Sequence, residues 1–593
     1  MEGSRKAKKK LIVKSYTKLV LMSMLVLGAT NFCGFIDNIV ISRYLGDDAL
    51  AAVGYFSPVA ALASLAYVII LGTVILCGNF IGSGERQKVN SLFTGAFFTI
   101  VGISSAFVLV LVFFRAGISG LLGAKGQAAT LLMEYMLGFA PGILFSNTAA
   151  FLLSLTSYNN EIRISCIAAL VLFGGNVLAD VVLVGPLGLF GVGLASTISS
   201  GAMFAILLPG FLKRNKTIHL EPAHIKLGLV WEAVKRGMPN LLFNVGLIMK
   251  NSLLNYSLIT YSGDAGIAVV NVLASICGIT GTVLGGFVNS YATLGSLYYG
   301  EEDREGLLDL FKTALLSGFF ISVAMASVTT VFSGPLSNVF FSAGTDIWLI
   351  GKRMFMLGFW YLPLNLIFNL LMNTYKAQGK MHLVNILSFA ETAIIGILAV
   401  LTVPVMGTDA AWLANTWSDI LILLIILILL PALNKKVSYS LPFILRLDDS
   451  FGATGEQFAE YEISDIEGVS AVSEAVKDFC KKRGMDRKKS FWASLCVEEL
   501  TRNIIQHGDY KKKRNNVNVR VICKNSLTIR VQDDCVKFDP SERMKMLEPD
   551  QPEKNIGFRI VSKLASSMDY YNNAGINTLI INMNESLSDS SVP

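Results

Sequence analysis

Apolar residues run almost unbroken from about residue 17 to residue 433, and then the pattern changes. A helix that crosses a bilayer needs about 20 such residues. Runs of that kind lie near 17–42, 52–78, 92–114, 128–155, 163–184, 189–212, 237–261, 265–296, 309–333, 350–375, 381–405 and 411–433. They predict about twelve spans joined by short polar turns. Beyond Lys435-Lys436 the periods are those of a domain that folds in water. Phe458–Ile463 alternates as a strand, while 466–483 and 486–507 have helical period. Asn516–Cys523 and Leu527–Val531 read as a hairpin around Lys524-Asn525-Ser526, followed by a helix over about 556–567 and a last strand, Thr578–Met583. Helices on one face of an antiparallel-leaning sheet make an α+β sandwich.

The apolar part repeats itself. Gly82-Ser-Gly-Glu-Arg86, followed by Leu92-Phe93 and Ala96, returns as Gly300-Glu-Glu-Asp-Arg304, followed by Leu310-Phe311 and Ala314. Gly46-Asp47 and Ala51 return as Gly263-Asp264 and Ala268 with nearly the same offset, and Leu194-Ala195 matches Leu413-Ala414. Two six-helix halves in parallel orientation follow, a plan typical of transporters with a cavity between lobes. The expected fold class is therefore a polytopic α-helical membrane protein of two lobes, followed by a C-terminal α+β sandwich domain. The expected divisions are a basic N-terminus (1–16), an N-lobe (17–214), an inter-lobe loop (215–236), a C-lobe (237–434), a linker (435–455), the sandwich (456–585) and a short tail (586–593).

Composition agrees: 53% of the 593 residues are hydrophobic and only 16% charged, too apolar for an ordinary globular protein. Much of the net charge of +7 sits in Arg5, Lys6, Lys8, Lys9, Lys10 and Lys14, a cluster that reads as a partner for an anionic membrane surface rather than for nucleic acid. Lys and Arg gather in alternate loops, which puts both termini in the cytoplasm by the positive-inside rule, with the plasma membrane as the expected location. Eight cysteines are scattered singly and read as packing residues in a reducing compartment.

Ionisable residues at membrane depth default to functional candidates. Asp37 and Asp180 each lie about six residues from the outer end of a span, roughly 8–10 Å inside it. Asn176 stands one turn from Asp180 on the same helix face. Two carboxylates taken out of water together can hold a proton near neutral pH or exchange it for Na⁺. The structural alternative is that Asp37 caps a helix end and Asn176 bonds a neighbouring helix. Lys250 and Glu391 lie near mid-membrane in the second half, where an ion pair would line the C-lobe or tie spans seven and eleven together. Asp419 and Glu134 are secondary candidates.

Ile36-Asp37-Asn38, Gly46 to Gly54, the Gly82 and Gly300 loops, and Asn176-x3-Asp180 with Gly188-x2-Gly191-Val-Gly-Leu-Ala195 together resemble the MATE transporters over roughly 15–435. That family exports cationic drugs and metabolites in exchange for protons or sodium ions, by rocking two six-helix lobes. The resemblance implies that Asp37, Asn176 and Asp180 form the N-lobe cation site, with H⁺ or Na⁺ as coupling ion. Span one has no proline, so a bend there would rest on Gly28 and Gly34.

Three short blocks carry the chemistry of the C-terminal part. Glu499 and Asn503 stand one turn apart on a helix, where a carboxylate can orient water and an amide oxygen can hold Mg²⁺. Asp533, at a strand end before Phe538-Asp539-Pro540, is placed to accept from an adenine amino group. Asn555-Ile-Gly557 leads into a helix N-terminus, a usual seat for phosphate. In this order they resemble the N, G1 and G2 boxes of the GHKL ATP-binding fold, most closely the anti-sigma-factor serine kinases, over about 456–585. The match implies Glu499 as base, Asn503 as Mg²⁺ ligand, Asp533 as adenine reader and Gly557 as phosphate-loop glycine. Cys535 and Asn555 depart from it, each standing where the family has glycine.

The expected function is a cation-coupled antiporter exporting organic cations, drugs or metabolites, with a cytoplasmic domain that binds ATP and Mg²⁺ and regulates it. With no Walker A motif in the chain, ATP is not expected to be the fuel. Two alternatives stay open. One is a serine-kinase-like switch acting on a cytoplasmic regulatory protein with the membrane half as its sensor; the other is a flippase for a lipid-linked precursor.

Overall fold

The computed structural model describes residues 2–222, 225–434, 438, 440–453, 455–463, 465–507, 517–524, 526–535, 561, 564–573 and 575–583. The apolar part is helical throughout: α1 Glu2–Leu45, α2 Asp47–Ala63, α3 Ala66–Gly82, α4 Arg86–Phe113, α5 Arg115–Leu121, α6 Gly126–Leu155 and α7 Ile162–Leu212 in the first half. The second half holds α8 Leu227–Gly300, α9 Arg304–Val331, α10 Ser333–Phe340, α11 Asp346–Leu357, α12 Leu362–Ala377, α13 Met381–Met406 and α14 Thr408–Asn434. Large apolar side chains such as Phe113, Leu178, Val331 and Val405 are exposed on its outside, which suits a surface solvated by lipid tails rather than water.

Among the described residues, eight helices are long and apolar enough to cross a bilayer, or nine if α11 and α12, bent by 48°, count as one span. The remaining apolar runs share helices. α7 has 51 residues and α8 has 74; straight, they would measure about 75 and 110 Å, against a hydrocarbon core of about 30 Å. α7 breaks at Gly188, whose φ of 56° and ψ of −139° are not helical. α8 folds back, because both its ends return to α3: Gly237 lies against the Val68 carbonyl and Gly300 against the Asn79 carbonyl, and a side chain at either glycine would overlap them.

The cores show how the halves meet. At the end far from the C-terminal domain each lobe has its own core, Ile41, Phe56, Tyr135 and Val192 in the first and Leu258, Phe355, Phe359 and Trp412 in the second. At the near end, called here the tail side, one core unites both lobes through Tyr16, Val74, Phe93, Tyr291, Phe311 and Tyr375. The body is therefore sealed on the tail side.

The C-terminal domain is a sheet of β1 Phe458–Ile463, β2 Val517–Cys523, β3 Leu527–Asp533, β4 Ala565–Asn573 and β5 Ile576–Met583, in the order β1-β2-β3-β5-β4 and antiparallel throughout. α16 Ile466–Lys482 and α17 Arg487–His507 cover one face. Val469, Val476, Ala493 and Val497 pack there on Val519, Ile529, Val531 and Ile581. Asp465 starts α16 by accepting from the Gly468 amide at 2.8 Å.

Three sequence expectations change. The helix expected over about 556–567 lies partly outside the described residues, and from Ala565 onward the chain is strand β4, held by its register with β5. The segment read as a linker is packed. Its short helix α15 Leu441–Ile444 and the residues after it bury Phe443, Leu445 and Leu447 in the tail-side core. Tyr375 and Gln378 each donate to its backbone at 2.7 Å, and Phe451 stacks on Tyr299. Part of the basic N-terminus meets protein, Lys8 pairing with Asp303 and Glu460 and Lys14 with Asp534, while Lys9 and Lys10 stay exposed.

Candidate functional site

In the first lobe α1 brings Asp37 and α7 brings Asn176 and Asp180 to one place. Asn176 and Asp180 are 2% and 0% exposed. Asn176 Nδ2 faces Ser196 Oγ at 3.4 Å, while the Asn176 amide oxygen, one Asp37 oxygen and both Asp180 oxygens are buried with no donor. The two carboxyl groups are neighbours facing one space. Cys33, one turn before Asp37, and Tyr135 of α6 border them, and Tyr135 is fixed by ring contacts of 5.2 and 5.3 Å with Phe56 and Phe139. Among the described residues neither carboxylate is paired with Lys or Arg. A buried carboxylate beside a half-buried one, without a cation, is costly, so the arrangement suits a small cation. The sequence reading passed over Ser196 and Tyr135; the only signal was adjacency, Ser196 to the Leu194-Ala195 motif and Tyr135 to Glu134.

Lys250 and Glu391 do not pair with each other. Lys250 Nζ donates to Asn415 Oδ1 at 3.1 Å, and Glu391 Oε1 accepts from Asn365 Nδ2 at 2.7 Å. α12 and α14 each supply an amide where sequence reasoning foresaw a direct ion pair. Asp419 is buried nearby, with Oδ2 lacking a partner. Glu134 is exposed.

In the C-terminal domain the helix-covered side of the sheet holds the nucleotide candidates. Asp533 shares the face of Ile529 and Val531 by strand alternation, the side on which α17 carries Glu499 and Asn503. Asp533 Oδ1 accepts from the Cys535 amide at 2.8 Å and from Asn577 Nδ2 at 2.7 Å. Burial pushes its carboxyl above the usual range, against those hydrogen bonds. Tyr570 donates to Asn577 at 2.7 Å and completes a chain that the sequence reading missed, because β4 was not read as a strand. Asn503 Nδ2 donates to the Glu499 carbonyl at 2.6 Å, leaving its oxygen for a cation, whereas Glu498 is bound by Arg502 and Ser473. An amide oxygen of that kind and a buried carboxylate suit Mg²⁺ and an exocyclic amine. Gly557, with Asn555, Phe538 and Asp539, lies outside the described residues.

The other face of the sheet is polar and buried. Register aligns Glu460, Arg520, Arg530, Ile580 and Asp569 in one row across the five strands. Arg520 Nη1 reaches Asp303 Oδ1 at 2.5 Å, Arg530 Nη1 reaches Glu301 Oε2 at 2.7 Å and Asp303 Oδ2 at 3.3 Å, and Lys8 reaches Asp303 Oδ2 at 2.7 Å. Asp303 also caps α9 by accepting from the Gly306 amide at 2.9 Å. Tyr571 donates to Glu301. Burial opposes ionisation of Asp303, but Arg520, Lys8 and Arg530 together hold its carboxyl well below the usual range.

The family model MatE matches residues 23–183 and 241–402, one stretch in each half, and the model of the histidine kinase-like ATPase domain matches 464–583. Similar solved structures include a MOP superfamily transporter from Pyrococcus furiosus, 18% identical, covering 70% of this chain and 94% of that one with a TM-score of 0.64. A mutant of the Vibrio cholerae MATE transporter VcmN gives 17%, 70%, 95% and 0.64. An outward-facing multidrug resistance MATE family transporter of the MOP superfamily gives 18%, 71%, 96% and 0.64. No curated protein matches the chain.

Proposed function

The chain belongs to the MatE family and carries a histidine kinase-like ATPase domain, and on that premise we propose a cation-driven exporter regulated by nucleotide at its C-terminal domain. The observation that carries the reading is the cluster of donor-less oxygens on Asp37, Asn176 and Asp180. A proton or Na⁺ entering from the open side removes one of the two negative charges, and its loss on the other side restores it. Cation gradient and substrate export are thereby coupled through α1 and α7. The substrate class is organic cations, drugs or metabolites, in keeping with the multidrug resistance relative of the same fold. Lys250, Glu391 and Asp419 line a second polar cluster in the other lobe, available to the substrate or to a second ion.

ATP with Mg²⁺ binds between the sheet and α17, with Asp533 reading adenine, Asn503 holding the metal and Glu499 orienting water. ATP needs the cytoplasm, so the tail side is the cytoplasmic side of the plasma membrane. The test is efflux from vesicles with an imposed proton or sodium gradient: the parent chain exports and Asp180→Asn does not. Unchanged efflux in that variant overturns the coupling role.

A further inference from the structure

We infer that the C-terminal domain is a clasp: it rides on the second lobe and grips the first, so the tail side opens only when the sheet releases α1 and the loop at Gly84–Arg86. The inference rests on the reading that the lobes part during transport.

The two attachments differ in kind. Towards the second lobe the chain is continuous through the packed 440–453 segment, and Arg520 and Arg530 are buried on Glu301 and Asp303, all four side chains at most 4% exposed. Arg304 of the same loop donates to the Asp448 carbonyl at 3.0 Å. Removing a partner from such a buried cluster strands a charge, so this side stays together. Towards the first lobe the sheet packs on α1, and the described ion pairs there, Lys8 apart, lie at the rim. Arg86 donates to the Tyr570 carbonyl and stands 3.9 Å from Asp569, and Lys14, half exposed, pairs with Asp534 at 2.5 Å. Exposed pairs hold weakly and form and break readily. Among the described residues of α1, Lys8 reaches into the buried cluster. A domain fixed to one lobe and lightly held to the other closes the seam between them until the light contacts part.

The grip is also wired to the nucleotide face. Asp534, the partner of Lys14, follows Asp533 directly, so one loop end meets both the adenine candidate and the helix that carries Asp37.

The geometry offers a lock. A Cβ placed on Gly84 lies 3.7 Å from the Asp569 Cβ, inside the ~3.5–4.5 Å that a disulfide spans. The φ of 80° at Gly84 disfavours a side chain but does not forbid one. The test uses the full chain with Gly84→Cys and Asp569→Cys, plus Ser296→Cys as a reporter, since Ser296 is buried in the inter-lobe seam against Gly78. Labelling of the reporter by a water-soluble maleimide is read by peptide mass spectrometry. With an open state populated at a few per cent, bridging is expected to cut labelling about tenfold or more, and reductant restores it. Equal labelling in the bridged and reduced forms overturns the clasp. Should the bridge fail to form, Arg86→Ala with Asp569→Ala must raise labelling, and no rise overturns it equally. Labelling needs neither gradient nor substrate, so its failure is separable from failure of the transport reading, which efflux by the reduced variant reports.

Discussion

Arg520 and Asp303 meet at 2.5 Å with both side chains 1% exposed, although one belongs to the sheet and the other caps a helix of the apolar body 217 residues earlier. The contact joins two domains that composition alone separates into different solvents. Three cations, Lys8, Arg520 and Arg530, meet three acidic side chains, Glu301, Asp303 and Glu460, so the cluster is costly when a member is removed.

Asp303→Ala should therefore loosen the domain by about 3–5 kcal/mol, the range for breaking a buried pair. Limited proteolysis of the full chain checks this: cleavage in the 440–453 segment should accelerate. Arg304→Ala, which removes backbone contacts from the more exposed end of the same loop, should have a much smaller effect.

Docking should also depend on pH. Burial, opposed by Arg530, Lys8 and Arg520 and reinforced by Asp303, pushes the Glu301 carboxyl up to about 7 from an ordinary value of 4.5. A raised carboxyl favours the docked state while protonated, so its contribution is complete below the ordinary value and lost as pH rises through 7. Asp303 works in the opposite sense, losing its contribution only in strong acid, because its carboxyl is held well below the usual range. Docking is thus expected to weaken from pH 5 to pH 7, by up to about 1.4 kcal/mol per pH unit, and to level off above 7. The same proteolysis at both pH values checks the sign, and Glu301→Gln should flatten the dependence.

In the first lobe, Asp37→Asn replaces the half-buried one of two carboxylates facing the same space. Loss of a charged contact worth about 2 kcal/mol lowers apparent cation affinity about thirtyfold. Gradient-driven efflux at graded cation concentrations measures the shift. Ser196→Ala, which removes the weak Asn176 contact at 3.4 Å and a neutral hydroxyl beside Asp37 but no charge, should move it less.

For the nucleotide face, the full chain should bind a fluorescent ATP analogue with Mg²⁺, and Asn503→Ala should abolish the Mg²⁺-dependent part. Asp533→Ala removes both the adenine acceptor and the anchor of Asn577, so it should weaken binding by about 1.5–3 kcal/mol. Fluorescence titration with and without Mg²⁺ separates the two effects.

Spans, repeat and the Asp37–Asn176–Asp180 convergence were legible because lipid demands long apolar runs and makes each interior charge stand out. The sheet face was not. Asn518, Arg520, Gln532, Thr528 and Arg530 alternate with buried valines and isoleucines, and alternation says only that one face avoids the core. It does not distinguish water from a second polar surface, so a docked face reads as a wet one. β4 was hidden for a related reason: Ala565-Ser-Ser-Met568 lacks alternation, and pairing with β5 rather than local propensity makes it strand. Lys250 and Glu391 were placed in the right half, but the amides of Asn365 and Asn415 decide whom they touch.

A body made of two copies of one plan offers an added domain two equivalent seats. The loop Gly82-Ser-Gly-Glu-Arg86 and its counterpart Gly300-Glu-Glu-Asp-Arg304 differ where the seat would be, Ser83-Gly84 in one and Glu301-Glu302 in the other, with Glu85 facing Asp303 in register. The extra acids of the second loop break the pseudo-twofold degeneracy, and the arginine pair can read only that loop as its lock. Exchanging the two loop sequences should turn the domain around on the body.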